Sequence, residues 1–349
     1  MSLLTAIWAS ALAMAAGAIL WMSTLIGLRV FEEGRARRRK ADRRTLETAL
    51  LDAIQGARDL QPTLAPFARR GRLMAETLLD FLALIRGGDR EALLAALKGL
   101  DVPRTLRRRL ALGSMAGRMV CLEALAAFPG AETEHALESV AERGPASMRL
   151  TALRSLYEIR GELPLGRLLR ELDRGRLRPT ARVGEFLRIL VAQAPATAAA
   201  ELRHGLLPEP VQLMLIDGLA SAGDYSVLPT LMDQTTAPSP RVRAAAIQAL
   251  GGLHHPAAGP AVAAALRDAE WPVRAAAAEA AGAIGLAALA PTLEDMLDDE
   301  VWRVRFLAAA ALLRLGPDGL GRLKGAAAGA NAKSAETAAL ALAEKGLAA

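Results

Sequence analysis

Aromatic residues are scarce in this chain, at 3 % of 349 residues, although 52 % are hydrophobic. Strands favour β-branched and aromatic side chains, so an apolar fraction built from Ala and Leu argues against a β-sandwich and for closely packed helices. Cys121 is the single cysteine, which excludes an intrachain disulfide framework and a Cys-based zinc site. Histidine is almost as rare. His254 and His255 share a turn before Pro256, but His135 and His204 are far along the chain, so the pair reads as a solvated loop. Gly319–Gly325 lacks the glycine spacing and Ser/Thr of a phosphate-binding loop. With no Ser/His/Asp, Cys/His or paired-carboxylate arrangement either, no catalytic residue, metal site or cofactor is expected.

Charge is missing from one long stretch: Met1 to Leu28 carries none. A bilayer core of about 30 Å needs about 20 apolar residues as a helix, and Trp8 and Trp21 lie toward the two ends as interfacial aromatics do. A cleaved leader would carry its positive charge before the apolar run. Here the charge follows it, in residues 29–44, with eight basic groups against three acidic ones. Arg35, Arg37, Arg38, Arg39 and Lys40 form its centre and are expected at the membrane interface, against anionic headgroups. Because Lys and Arg stay inside, the N-terminus is expected outside and everything after it in the cytoplasm of a bacterial cell. This cluster holds most of the net charge of +6. The remainder is almost neutral, so nucleic acid is not the expected ligand.

What is present in abundance is a repeat. Arg241-Val242-Arg243-Ala244, Pro272-Val273-Arg274-Ala275 and Arg303-Val304-Arg305-Phe306 align with Val242, Val273 and Val304 spaced by 31. Fainter copies lie around Met119, Leu150, Val183 and Val211. A fixed period of this size marks a solenoid of helical hairpins, each unit burying its apolar face against its neighbours. The expected organisation is an anchor over 1–28, a basic juxtamembrane segment and helical stalk over 29–66, an irregular helical cap over 67–116, and the repeat array over 117–349. The stalk helix is expected over Thr45–Asp59, a helix over Arg72–Arg86, and Asp89 as the N-cap of a helix over Arg90–Leu100.

These residues resemble the HEAT repeats in their short bacterial form. Asp268 with Val273-Arg274, Asp299 with Val304-Arg305, and Ala249-Leu250-Gly251 follow the family pattern, while Ala237 stands where the first Asp would be. The resemblance implies an all-α, right-handed α-solenoid preceded by a single transmembrane helix, and a surface that binds proteins. It also implies that the Asp and Arg of adjacent units pair across the turns. Arg243, Arg274 and Arg305 therefore have two readings, a basic stripe for an acidic partner or a structural ladder. Trp271 and Trp302, also 31 apart, are either a partner hot spot or fillers between turns; Arg303 lies beside the second. The function expected is a non-catalytic scaffold binding a protein partner in the inner membrane, such as a polysaccharide-synthesising glycosyltransferase. The alternative is a HEAT-like enzyme or nucleic-acid-binding protein resembling the bilin lyases or the DNA-base-repair proteins. Residues 69–118, with eleven basic against five acidic groups, are the one patch that would suit it.

Overall fold

The computed structural model describes residues 3–54, 61–68, 70–204 and 207–347, all helix, turn or coil with no strand among them. The chain divides into two compact units, Met1–Gly161 and Glu162–Ala349.

The first unit holds α1 (Leu3–Ile54), α2 (Gln61–Ala68), α3 (Gly71–Leu84), α4 (Gly88–Gly99), α5 (Val102–Leu112), α6 (Met115–Leu125), α7 (Ala131–Arg143) and α8 (Ala146–Arg160). α1 runs without a break from the apolar stretch through the basic cluster, since no proline interrupts it and the isolated glycines Gly17 and Gly34 do not stop a helix. Its end is built into the unit: Leu46, Ala49 and Leu50 are buried where α1 meets α2, α3 and α4. The expected stalk is therefore part of a longer helix, described as far as Ile54; the rest of the expected range, to Asp59, lies outside the described residues. The membrane span expected over 1–28 is not recovered as a separate element, because α1 joins the apolar and the charged residues in one helix. Among the described residues, no helix is long and apolar enough to cross a membrane. Residues 1 and 2, and most side chains over 3–19, lie outside those described. Asp89 is not a cap: α4 starts one residue earlier, with Gly87 at φ 62° as its N-cap.

The second unit carries the repeat. Its helices are α9 (Leu165–Asp173), α10 (Ala181–Gln193), α11 (Pro195–Arg203), α12 (Glu209–Ala222), α13 (Leu228–Gln234), α14 (Pro240–Leu253), α15 (Gly259–Ala265), α16 (Trp271–Ile284), α17 (Ala290–Asp295), α18 (Trp302–Arg314), α19 (Pro317–Ala327) and α20 (Ala332–Glu344). From α12 on, the longer helices start at the same register position. Val211, Val242, Val273 and Val304 are all buried one turn in. A single 3-10 turn leads into each of α13, α15 and α17. α12, α14, α16 and α18 pack side by side as one row.

Small residues set the spacing of that row. A Cβ on Gly251 would lie 2.9 Å from the Cβ of Ala280, and one on Gly282 would lie 2.7 Å from the Cα of Ala311. The helices are thus nearly in backbone contact, which a larger side chain at either position would prevent. Each helix of the row is followed within two residues by a positive φ, at Gly223, His254, Gly285 and Gly316. Three of the four are glycine, the residue that takes this conformation without strain. His254 is the exception.

Candidate partner-binding edge

The turns before α14, α16 and α18 carry the residues that the repeat singles out. Arg243 donates from Nε and Nη2 to the two carboxylate oxygens of Asp268, both at 2.8 Å, and from Nη1 to the carbonyls of Ala237 and Pro238. Arg274 repeats this one unit on: Nε to Asp299 at 2.7 Å, Nη2 to its other oxygen at 3.2 Å, and Nη1 to the carbonyls of Asp268 and Ala269. Each Asp also accepts a backbone N–H, Asp268 from Glu270 and Asp299 from Val301, both at 2.9 Å. The guanidinium fork matches a carboxylate with two parallel bonds, so each Arg ties its own turn to the next one.

The electrostatics agree with this geometry. The hydrogen bond from Arg243 holds the Asp268 carboxyl below the usual range. Burial pushes the Asp299 carboxyl up, but the bonds from Arg274 and the Val301 N–H outweigh it and the net shift is downward. Arg243 is raised in turn by its bond to Asp268.

The ladder frays at its ends for reasons written in the sequence. Arg305 still donates to the carbonyls of Asp299 and Glu300, at 2.8 and 3.2 Å. The next position in the series is Ala330, so Arg305 reaches Thr337 Oγ1 at 3.4 Å instead of a carboxylate. Upstream, Ala237 has no carboxylate but its carbonyl still receives Arg243. Gln212, 31 residues before Arg243, makes a similar turn contact to the Leu207 carbonyl at 2.7 Å. The geometry thus gives Arg243, Arg274 and Arg305 the structural role. Little of these guanidiniums is left for a partner: the Arg243 and Arg274 side chains are 16 % and 19 % exposed.

What remains exposed on this edge is aromatic. Trp271 and Trp302 are the first residues of α16 and α18, and they are 44 % and 51 % exposed. Trp302 stacks on Phe306, one turn along α18, with centroids 5.3 Å apart and planes at 24°. Phe306 was not singled out by the repeat, though its i,i+4 spacing from Trp302 is the signal for such a contact. Arg303 is exposed beside Trp302. A second aromatic pair sits at an earlier turn, where the Tyr225 ring is 5.1 Å from that of His255.

The two histidines lie in the turn after α14, His254 exposed and His255 half-buried, and each makes a hydrogen bond there. His254 caps α14 at φ 51°, and its Nδ1 is 2.9 Å from the Ala283 carbonyl in the next unit. His255 Nδ1 accepts the Ala257 N–H. Cys121 is buried in α6, and burial pushes its thiol up to about 11. Among the described residues no group of His, Cys, Asp and Glu is placed to hold a metal ion.

At the other end of the chain, Trp8 and Trp21 are both exposed on α1, as are Arg37, Arg38 and Lys40. The side chains of Arg35 and Arg39 lie outside those described.

The family described as HEAT repeats matches residues 199–270, 228–313 and 259–343. Residues 199–343 carry HEAT repeats. No curated protein matches the chain. Among solved structures, it is similar to the complex of CpcE and CpcF of phycocyanin lyase from Nostoc sp. PCC7120. That similarity runs at 21 % identity over 52 % of this chain and 76 % of that one, with a TM-score of 0.36. It is similar also to the karyopherin Kap121p bound to the SUMO protease Ulp1p, at 14 % identity over 86 % of this chain and a TM-score of 0.46. The chain spans less than half, 45 %, of the karyopherin's length.

Proposed function

We propose that this protein is a non-catalytic scaffold anchored in a bacterial inner membrane, holding an integral membrane partner on the edge that bears Trp271 and Trp302. The observation that carries the reading is that pair: two large aromatics, exposed at the same position of consecutive repeats, in a chain with only four tryptophans. Tryptophan is enriched among residues whose truncation weakens an interface by about 2 kcal/mol or more. The neighbouring arginines are tied into the turns, so the edge offers apolar area flanked by the exposed charges of Glu270, Glu300 and Arg303.

The anchor is supported by the uncharged residues 1–28 in a helix that begins at Leu3. From Leu3 to Leu28 the helix rises about 39 Å at 1.5 Å per residue, against a hydrocarbon core of about 30 Å; most of the side chains over 3–19 lie outside the described residues, among which no membrane span is found. In this reading the basic cluster keeps the repeats on the cytoplasmic side. Arg35, Arg37, Arg38, Arg39 and Lys40 meet anionic headgroups. Confinement at the bilayer raises the effective concentration of the array for membrane partners, and a polysaccharide-synthesising glycosyltransferase is a partner of the fitting kind.

The test is a photo-crosslinking side chain at position 303 of the full chain, irradiated in native membranes. The reading expects an adduct with one integral membrane protein, lost in the Trp271→Ala/Trp302→Ala variant at unchanged thermal stability. Adducts no different from those of residues 1–66 alone would sink it. Release of the full chain into the supernatant by alkaline carbonate would sink the anchor.

A further inference from the structure

We infer that the N-terminal unit holds a binding site for a phosphate-bearing ligand, in the cleft between α2 and α5. The cleft has a volume of about 930 Å³ and is lined on one side by Arg104, Arg108 and Arg109. Their placement follows from the helix. Val102, Leu106 and Leu110 are the buried stripe of α5, so positions 104 and 108 fall on the outer face and 109 on the flank of that stripe. Gly71 fixes the third: a Cβ there would lie 2.9 Å from Arg109 Cγ, so only glycine lets the Arg109 stem lie against the start of α3.

The charge in the cleft is only partly compensated. Asp101, at the mouth, stands 3.4 Å from Arg104 Nη1. Among the described residues Arg108 and Arg109 have no ion-pair partner. Like charges at i,i+4 destabilise a helix, so Arg104 and Arg108 weaken α5 until an anion bridges them. Guanidinium forks bind the oxygens of phosphate in parallel pairs, and Thr105 adds a hydroxyl to the lining.

The rest of the unit favours a compact anion over a nucleic-acid backbone. Arg43 pairs with Glu47 and Asp80, Arg70 with Asp42, Arg72 with Glu76, and Arg107 with Glu132. Three of the eleven basic groups of residues 69–118, Arg70, Arg72 and Arg107, are thereby paired, which interrupts the basic surface that a polymer would track. The phosphate comes either from a soluble compound or from a lipid headgroup.

The experiment uses the full chain in nanodiscs. In one arm, phosphatidylcholine discs are titrated with inorganic pyrophosphate, by calorimetry and by hydrogen exchange of residues 102–112. In the other, phosphatidylglycerol replaces part of the lipid and no soluble phosphate is added. Saturable binding with protection of α5 is expected in one arm, about tenfold weaker or more in Arg104→Gln/Arg108→Gln. The unliganded melting midpoint of that variant should be unchanged or higher. Protection by pyrophosphate assigns a soluble ligand, and protection by phosphatidylglycerol alone assigns a headgroup. Protection in neither arm, or equal binding by the variant, overturns the proposal. So does a short DNA duplex that binds through these arginines more tightly than pyrophosphate does.

Discussion

Gly251 lies against Ala280 so closely that a Cβ on the glycine would stand 2.9 Å from the alanine Cβ and 3.0 Å from its Cα. The next residue, Gly252, has open space where its Cβ would go. Both are in α14, so the two share one helix and one intrinsic propensity. Ala is favoured over Gly inside a helix by about 0.5–1 kcal/mol. Gly252→Ala should therefore raise stability by about that amount. Gly251→Ala should lower it by about 1–2 kcal/mol, because the added methyl forces α14 and α16 apart. Chemical denaturation of the two variants checks the pair, and equal effects would show that the close approach is not maintained.

The Arg274 clamp predicts a different kind of loss. Its fork makes four hydrogen bonds across one turn, at side-chain exposures of 19 % for Arg274 and 11 % for Asp299. Arg274→Gln leaves the Asp299 carboxylate and two carbonyls short of partners, and should cost about 2–4 kcal/mol. Arg274→Lys should recover less than half of that, since a single ammonium cannot serve the carboxylate and the carbonyls together. Thermal melting of both variants decides whether charge or fork geometry matters.

The same ladder sets an acid response. Asp268 and Asp299 have folded pKa values below their unfolded ones. Their contribution is fully present above the unfolded value of about 3.9 and is lost as pH falls through the lower folded values. Stability measured from pH 7 down to 5 should not change on their account, and should fall below about pH 4. The Asp268→Asn/Asp299→Asn variant should be less stable at pH 7 and lose less on acidification. An equally steep acid loss in that variant would assign the response to other carboxylates.

How far the sequence carries the reader depends on whether a position repeats. Val242, Val273 and Val304 announce their burial because each occupies the same environment one unit on. The pairing of Asp268 and Asp299 with arginines follows from the family resemblance. The second role of each guanidinium, holding two carbonyls of its own turn, leaves no mark in side-chain identity. α1 is read as two segments because its composition changes from apolar to charged at residue 28, yet composition does not break a helix and no proline stands there. The Arg104/Arg108/Arg109 cleft is legible as charge, but the pairing that neutralises its neighbours depends on contacts such as Arg43–Asp80, 37 residues apart.

Cys121 offers a test of the core of the first unit. It is buried, and burial raises its thiol to about 11, so little thiolate is present at neutral pH. A maleimide or disulfide reagent at pH 7.5 should leave it unmodified in the folded protein and label it once denaturant unfolds the unit. Labelling at native conditions as fast as that of a free thiol would mean that α6 opens readily.

His254 stands where Gly223 and Gly285 stand in the neighbouring units, at a φ of 51° against 67° and 81°. A side chain there is strained, although histidine tolerates it better than most. The imidazole compensates by reaching the Ala283 carbonyl at 2.9 Å, a group at the end of α16 that lacks an intrahelical donor. His254→Gly removes the strain and the bond together, so its stability should stay within about 0.5 kcal/mol of the parent. His254→Ala keeps the strain and loses the bond, and should fall about 1–2 kcal/mol below the glycine variant. Urea denaturation of the three proteins separates the two effects. If alanine and glycine prove equivalent, the positive φ at this cap is not under strain, and the hydrogen bond alone accounts for the histidine.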